Sequence, residues 1–243
     1  MTDTNESATS AGASAPDERT PAETRRNTPG GGVRPAADAI EPSAPDEFGL
    51  VQAWWGDGKG KTTASLGMAF RAVGHGYRVH LLQFMKGGAD SVEDVRGEYN
   101  TIAAVPGISY ENTGHYGWHG MRDGSDEDDH RAKARGAMAR AEELLAAAAD
   151  ADLTEPLPLD ADPEAGVHLL VLDEVLYAVD QGLIDENDVL GLVESKPGNL
   201  ELVLTGSHTE PTYLLNAADL VTEVRKVKHP FDAGIRARKG TEY

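Results

Sequence analysis

A chain of 243 residues without cysteine forms no disulfides, zinc–thiolate sites or cysteine-ligated iron–sulfur clusters, and it has no thiol nucleophile. Its 41 acidic against 22 basic residues, a formal net charge of −19, exclude a general binder of nucleic acid or of anionic membrane surfaces, which needs clustered positive charge. The acids are spread along the chain, as on the solvated anionic surfaces of halophilic proteins, and no run of about 18 apolar residues offers a membrane span.

Residues 1–47 are rich in Ser, Thr, Ala, Pro, Gly, Asp and Glu and almost lack large apolar side chains. Such a stretch cannot bury enough surface to offset the entropy of ordering, so it is predicted to be a disordered tail ahead of one domain over 48–243. It has neither an apolar signal-peptide core nor the Arg-rich, acid-poor look of a transit peptide, and a cytoplasmic protein is expected.

The apolar run 49–55 is predicted as a strand, and it leads directly into Gly56-Asp57-Gly58-Lys59-Gly60-Lys61-Thr62-Thr63. A helix predicted over 61–73, ending at Gly74 and Gly76, follows at once. A strand, a Gly/Lys-rich loop and a helix in this order form a phosphate cradle. Glycines let backbone N–H groups converge on phosphate oxygens, the helix N-terminus adds partial positive charge, Lys61 supplies a point charge, and the Thr62 hydroxyl can ligate Mg²⁺. The usual spacing G-x-x-x-x-G-K-[ST] would put its first glycine at Trp55, whereas it stands here at Gly56, so the loop is a variant.

Further strands are predicted at 77–84, 108–112, 167–173, 200–206 and 220–226, with helices at 126–149, 174–181, 186–194 and 212–217. This alternation predicts an α/β fold, a mainly parallel sheet flanked by helices of the P-loop nucleotide-binding, RecA-like kind. The acid run 123–129 reads as solvated surface, and 151–165, with its prolines, as a loop or insertion. Strand 167–173 ends in Asp173-Glu174, where P-loop proteins place the carboxylate that holds the Mg²⁺ shell. The segments Gln83-Phe84-Met85-Lys86-Gly87 and Thr205-Gly206-Ser207-His208 fall at the carboxyl ends of other strands, where ligand crevices form in open sheets.

Those motifs, together with Arg71-Ala-Val-Gly-His-Gly76 and the closing Val227-Lys-His-Pro-Phe-Asp-Ala-Gly-Ile235, resemble the ATP:corrinoid adenosyltransferases of the cobalamin pathway. The resemblance runs in order over 49–243, and the off-register loop and the closing segment are not general P-loop features. It implies that a Co(I) corrinoid attacks C5′ of ATP and expels the whole triphosphate, with ATP and corrinoid as co-substrates and Mg²⁺ or Mn²⁺ as the metal. Carried over, Gly56, Asp57, Gly58, Lys59, Gly60, Lys61, Thr62 and Thr63 would hold the triphosphate, Arg71 would be a further cation on the nucleotide side, and Thr62, Asp173 and Glu174 would lie nearest the metal.

The family also presses an aromatic pair on the lower face of the corrin, and Thr113-Gly-His-Tyr116-Gly-Trp118 resembles that element, with Tyr116 standing where relatives often have phenylalanine. Lys86 stays open between a solvated loop lysine and a phosphate or corrin contact. Ser207 stands where relatives commonly carry an arginine after the glycine. A homodimer and an electron donor of the flavodoxin or flavin-reductase type are implied as partners. Two rival readings are a conventional P-loop ATPase or phosphotransferase, which cleaves the β–γ bond, and a non-catalytic ATP-binding regulatory module.

Overall fold

The computed structural model describes residues 37–86, 96–114 and 127–241. Six strands, β1 (Val51–Trp55), β2 (Val79–Gln83), β3 (Ile108–Asn112), β4 (Leu169–Asp173), β5 (Glu201–Thr205) and β6 (Leu220–Glu223), form one sheet in the order β3-β2-β4-β5-β1-β6. Every pairing is parallel, as the alternation of strands and helices predicts. The inner strands β2, β4 and β5 are buried along their whole length, because parallel sheets are covered by helices on both faces.

Helix α1 (Lys61–Gly74) starts directly after Gly60 and stops where Gly76 takes φ 81° and returns its N–H to the Val73 carbonyl at 2.8 Å. It packs Ala69, Ala72 and Val73 on Val79, Leu81, Val171 and Val203, with Ile102 of the short helix α2 (Gly97–Ala104) on the same face. The opposite face receives α3 (Glu127–Asp150), α4 (Val175–Asp180) and α5 (Glu186–Ser195). In α3, Glu127, Asp128 and Asp129 sit in the first turn, where the helix dipole favours negative charge. Ala134, Ala137, Met138, Ala141, Leu144, Leu145 and Ala148 form its buried stripe at helical spacing. A reciprocal Asp185–Asp188 capping box starts α5.

Three stretches differ from the sequence expectation. Residues 212–217 form only a short 3-10 turn, Thr212–Leu214, behind Pro211. Helix α2 is an addition, and β6 ends at Glu223 because residues 224–226 turn towards the loop at 56–63. The compact unit holding the sheet begins at Ile40: Ser43 donates its N–H to the Gly76 carbonyl at 3.0 Å, and Phe48 packs edge-on against Tyr77. No helix among the described residues is long and apolar enough to cross a membrane.

One buried histidine gives the domain an acid-sensitive joint. His80 of β2 is 1 % exposed, with Nδ1 2.9 Å from Ser109 Oγ and Nε2 3.6 Å from Glu111 Oε1. Arg140 of α3 holds Glu111, Glu143 and Glu164 above it. Burial depresses the imidazole from the usual 6.5 to about 4, outweighing the pull of Glu111. Between those values the unfolded chain takes up a proton that the folded chain refuses, so stability falls as pH drops through this window, by up to about 3 kcal/mol from this group. Urea unfolding at pH 7.5 and 4.5 is expected to show a clearly smaller acid loss for His80→Gln than for the wild type.

Candidate nucleotide site

The loop at 56–63 is built as much by its neighbours as by its own residues. Gly56 donates its N–H to the Ser207 carbonyl at 3.1 Å and Gly58 to the Val224 carbonyl at 2.7 Å, while the Asp57 carboxylate accepts the Lys226 N–H at 2.8 Å. A Cβ on Gly58 would stand 2.6 Å from the Val224 oxygen, and one on Gly56, at φ 119°, would run into the same residue. These two glycines therefore admit the 224–226 segment, and their amides serve the protein. The N–H groups of the first turn of α1, Lys61 to Thr63, are the ones that helix geometry leaves for an anion. Lys61 Nζ bridges the loop, donating to Gly56 O at 2.6 Å and Gly58 O at 3.1 Å.

Asp173, at the end of β4, is the hub. Its side chain is fully buried, and its two oxygens accept from Thr62 Oγ1 at 2.9 Å, Thr205 Oγ1 at 2.7 Å, Gln83 Nε2 at 2.9 Å and Lys86 Nζ at 2.5 Å. Burial alone would raise its carboxyl; the Lys86 ammonium and these donors hold it below the ordinary 3.8. The sheet order explains the meeting: β2, β4, β5 and β1 are adjacent, so their carboxyl ends deliver Gln83 and Lys86, Asp173, Thr205 and the loop to one crevice. Tyr99 of α2 supports it from behind, donating to Gln83 Oε1 at 2.8 Å while stacked on Tyr110 at 4.6 Å.

Glu174 caps α4 in the left-handed conformation, φ 64°, and gives its N–H to Thr205 Oγ1 at 3.1 Å. Burial first, and the Asp173 charge second, push its carboxyl up. Lys61 moves the opposite way, lowered by burial against the pull of Glu174 and Asp173. Ser207, buried and also left-handed at φ 61°, donates to Asp180 Oδ2 at 2.8 Å, and the same oxygen accepts the His208 N–H at 2.7 Å. Ser207 thus ties the loop after β5 to the end of α4.

The structure brings together Gly56 to Thr63, Asp173 and Glu174. Arg71 is not in this gathering: it lies in the exposed last turn of α1, roughly 15 Å of helix rise beyond Lys61, where it complements the negative end of the dipole. Tyr116 and Trp118 lie outside the described residues. Sequence reasoning left Lys86 undecided and missed Gln83 and Thr205 as partners of Asp173, and Tyr99 as the residue that holds Gln83. Position at a strand's carboxyl end was the one signal for the first three.

The profile of the family described as "ATP:corrinoid adenosyltransferase BtuR/CobO/CobP" matches residues 47–243. Among curated proteins, the chain is 36 % identical over 202 residues to a corrinoid adenosyltransferase of Pseudomonas aeruginosa, covering 82 % of this chain and 86 % of that one. It is 31 % identical to the corrinoid adenosyltransferase of Escherichia coli K12 and 32 % to Corrinoid adenosyltransferase CobA of Salmonella typhimurium, each alignment covering 87 % of this chain and 94 % of the relative. With the variant phosphate loop and its buried carboxylate in place, these likenesses assign the chain to the ATP:corrinoid adenosyltransferase family.

Proposed function

We propose that this protein transfers the 5′-deoxyadenosyl group of ATP to the Co(I) centre of a corrinoid and releases triphosphate, as a step in making adenosylated cobalamin. The observation that carries the reading is the setting of Lys61 and Thr62, at a helix N-terminus, against the buried Asp173, in a chain of this family. In the reaction the electron pair of Co(I) forms the Co–C bond to C5′. The C5′–O bond breaks, and its electron pair leaves with the triphosphate.

Negative charge grows on the departing oxygen. The first-turn amides of α1 and the Lys61 ammonium are fixed before reaction and can meet that charge without reorganising. No group need remove a proton, because the nucleophile is an electron-rich metal centre.

The Thr62 hydroxyl and the Asp173 and Glu174 carboxylates are hard oxygen donors of the kind that Mg²⁺ or Mn²⁺ selects. Among the described residues no group of three or more acidic or histidine side chains gathers to hold a metal, so an ion there would draw on phosphate oxygens and water as well. When bound, the ion neutralises charge on the triphosphate. Tyr116 and Trp118 are assigned to the lower face of the corrin, where flat rings supply dispersion against a macrocycle. The working unit is a homodimer in the cytoplasm, supplied with electrons by a flavodoxin or flavin-reductase partner.

The phosphate product separates this reading from an ATPase. Incubation with MgATP and reduced corrinoid should release triphosphate only when the corrinoid is present. ADP and phosphate formed regardless of corrinoid would replace the proposal with conventional hydrolysis.

A further inference from the structure

Lys86 is the residue whose position the proposed reaction does not yet use. Its backbone is fixed: Gly114 donates its N–H to the Lys86 carbonyl at 3.0 Å, and a Cβ on Gly114 would stand 2.6 Å from the Lys86 nitrogen. Its side chain runs inward, 6 % exposed, and the ammonium donates to Asp173 Oδ2 at 2.5 Å and to Thr62 Oγ1 at 3.0 Å. Thr62 and Asp173 are the very oxygens assigned above to a divalent ion. A lysine ammonium is a point charge on four flexible methylenes, able to change partner while its backbone stays put.

An ammonium and a divalent cation cannot both sit at bonding distance from the same hydroxyl and carboxylate, because at such separations in a water-poor crevice their repulsion is severe. Asp173 carries one negative charge, which Lys86 balances. We propose that Lys86 and the divalent cation are alternative occupants of the Thr62–Asp173 pair, so that the metal enters only as the ammonium leaves Asp173 for an anionic partner, the triphosphate. Metal entry is thereby coupled to nucleotide entry, and the buried carboxylate always has a counter-ion. This inference rests on the placement of the metal end of the nucleotide at Thr62 and Asp173.

The test measures Mn²⁺ binding to the full chain without nucleotide, by the loss of the free-ion electron paramagnetic resonance signal. Lys86→Gln removes the competing charge and should bind Mn²⁺ at least tenfold tighter than the wild type, and the gain should vanish in the double variant Lys86→Gln/Asp173→Asn. Affinity equal to or weaker than wild type would overturn the proposal. If Lys86→Gln is unfolded in EDTA, millimolar Mn²⁺ should restore its circular dichroism, and a chain that stays unfolded in Mn²⁺ would overturn the proposal equally. Adenosylation by the wild type is assayed in parallel: its failure would sink the functional reading, whereas active wild type with an unchanged Lys86→Gln affinity would sink this inference alone.

Discussion

Lys61→Ala should lower kcat/KM for ATP by about 10³-fold, roughly 4 kcal/mol of transition-state stabilisation, while the protein stays folded. The reason is geometric. Lys61 is the loop's inward cation, 9 % exposed, and its ammonium already sits at the centre of the loop, bonded to Gly56 O and Gly58 O. A triphosphate seated on the first turn of α1 offers that ammonium a stronger partner than two carbonyls, and the interaction strengthens as charge builds on the leaving oxygen. Removing it costs the fold two buried hydrogen bonds to loop carbonyls but costs the reaction a positive charge that faces the triphosphate. Single-turnover rates with saturating ATP should fall with kcat/KM; a change confined to KM would mean that Lys61 binds the ground state only.

Asp173→Ala is expected to have the largest effect on stability. The carboxylate has no exposure and satisfies four donors, so its removal leaves the Lys86 ammonium buried without a counter-charge. Breaking such a pair from one side costs about 3–5 kcal/mol, a large share of the total of about 5–15 kcal/mol that holds a domain of this size. The thermal midpoint should drop by roughly 6–20 °C at two to four degrees per kcal/mol.

The pH dependence supplies a second reading of the same variant. The folded-state carboxyl lies below 3.8, so its contribution is fully present above that value and is lost as pH falls through the depressed one. The wild type should therefore lose stability below about pH 4 through this group, and Asp173→Ala should lack that limb. A variant as stable as wild type at pH 7 would show that the Lys86–Asp173 pair contributes nothing net.

Much of this arrangement was legible before any coordinates, for reasons that can be traced residue by residue. The parallel sheet showed in apolar runs of strand length separated by helical stretches, because strands covered on both faces carry no polar alternation. The loop showed in its glycines and lysines, and Asp173 in its position at the end of a buried strand. Helix α2 was hidden because it buries only Ile102 and starts at Arg96 without a side-chain cap. The burial of Lys86 was hidden as well: nothing near it in sequence says that Asp173, 87 residues away, supplies its counter-charge.

What Gly56 and Gly58 do for the fold was also out of reach. Glycine in such a loop suggests approach to a phosphate, whereas here both make room for Val224, which arrives through the pairing of β6 with β1. Ser207 has a comparable history. Against the family pattern it is a missing cation, and in the fold it is a hydroxyl anchored to Asp180 that closes the turn after β5.

The measurement that tests the central claim most directly is an anaerobic incubation of the protein with MgATP and chemically reduced cob(I)alamin, followed by corrinoid absorbance. The account predicts conversion to adenosylcobalamin that requires both protein and ATP. Cob(I)alamin left unalkylated, with ATP intact or hydrolysed to ADP, would contradict it.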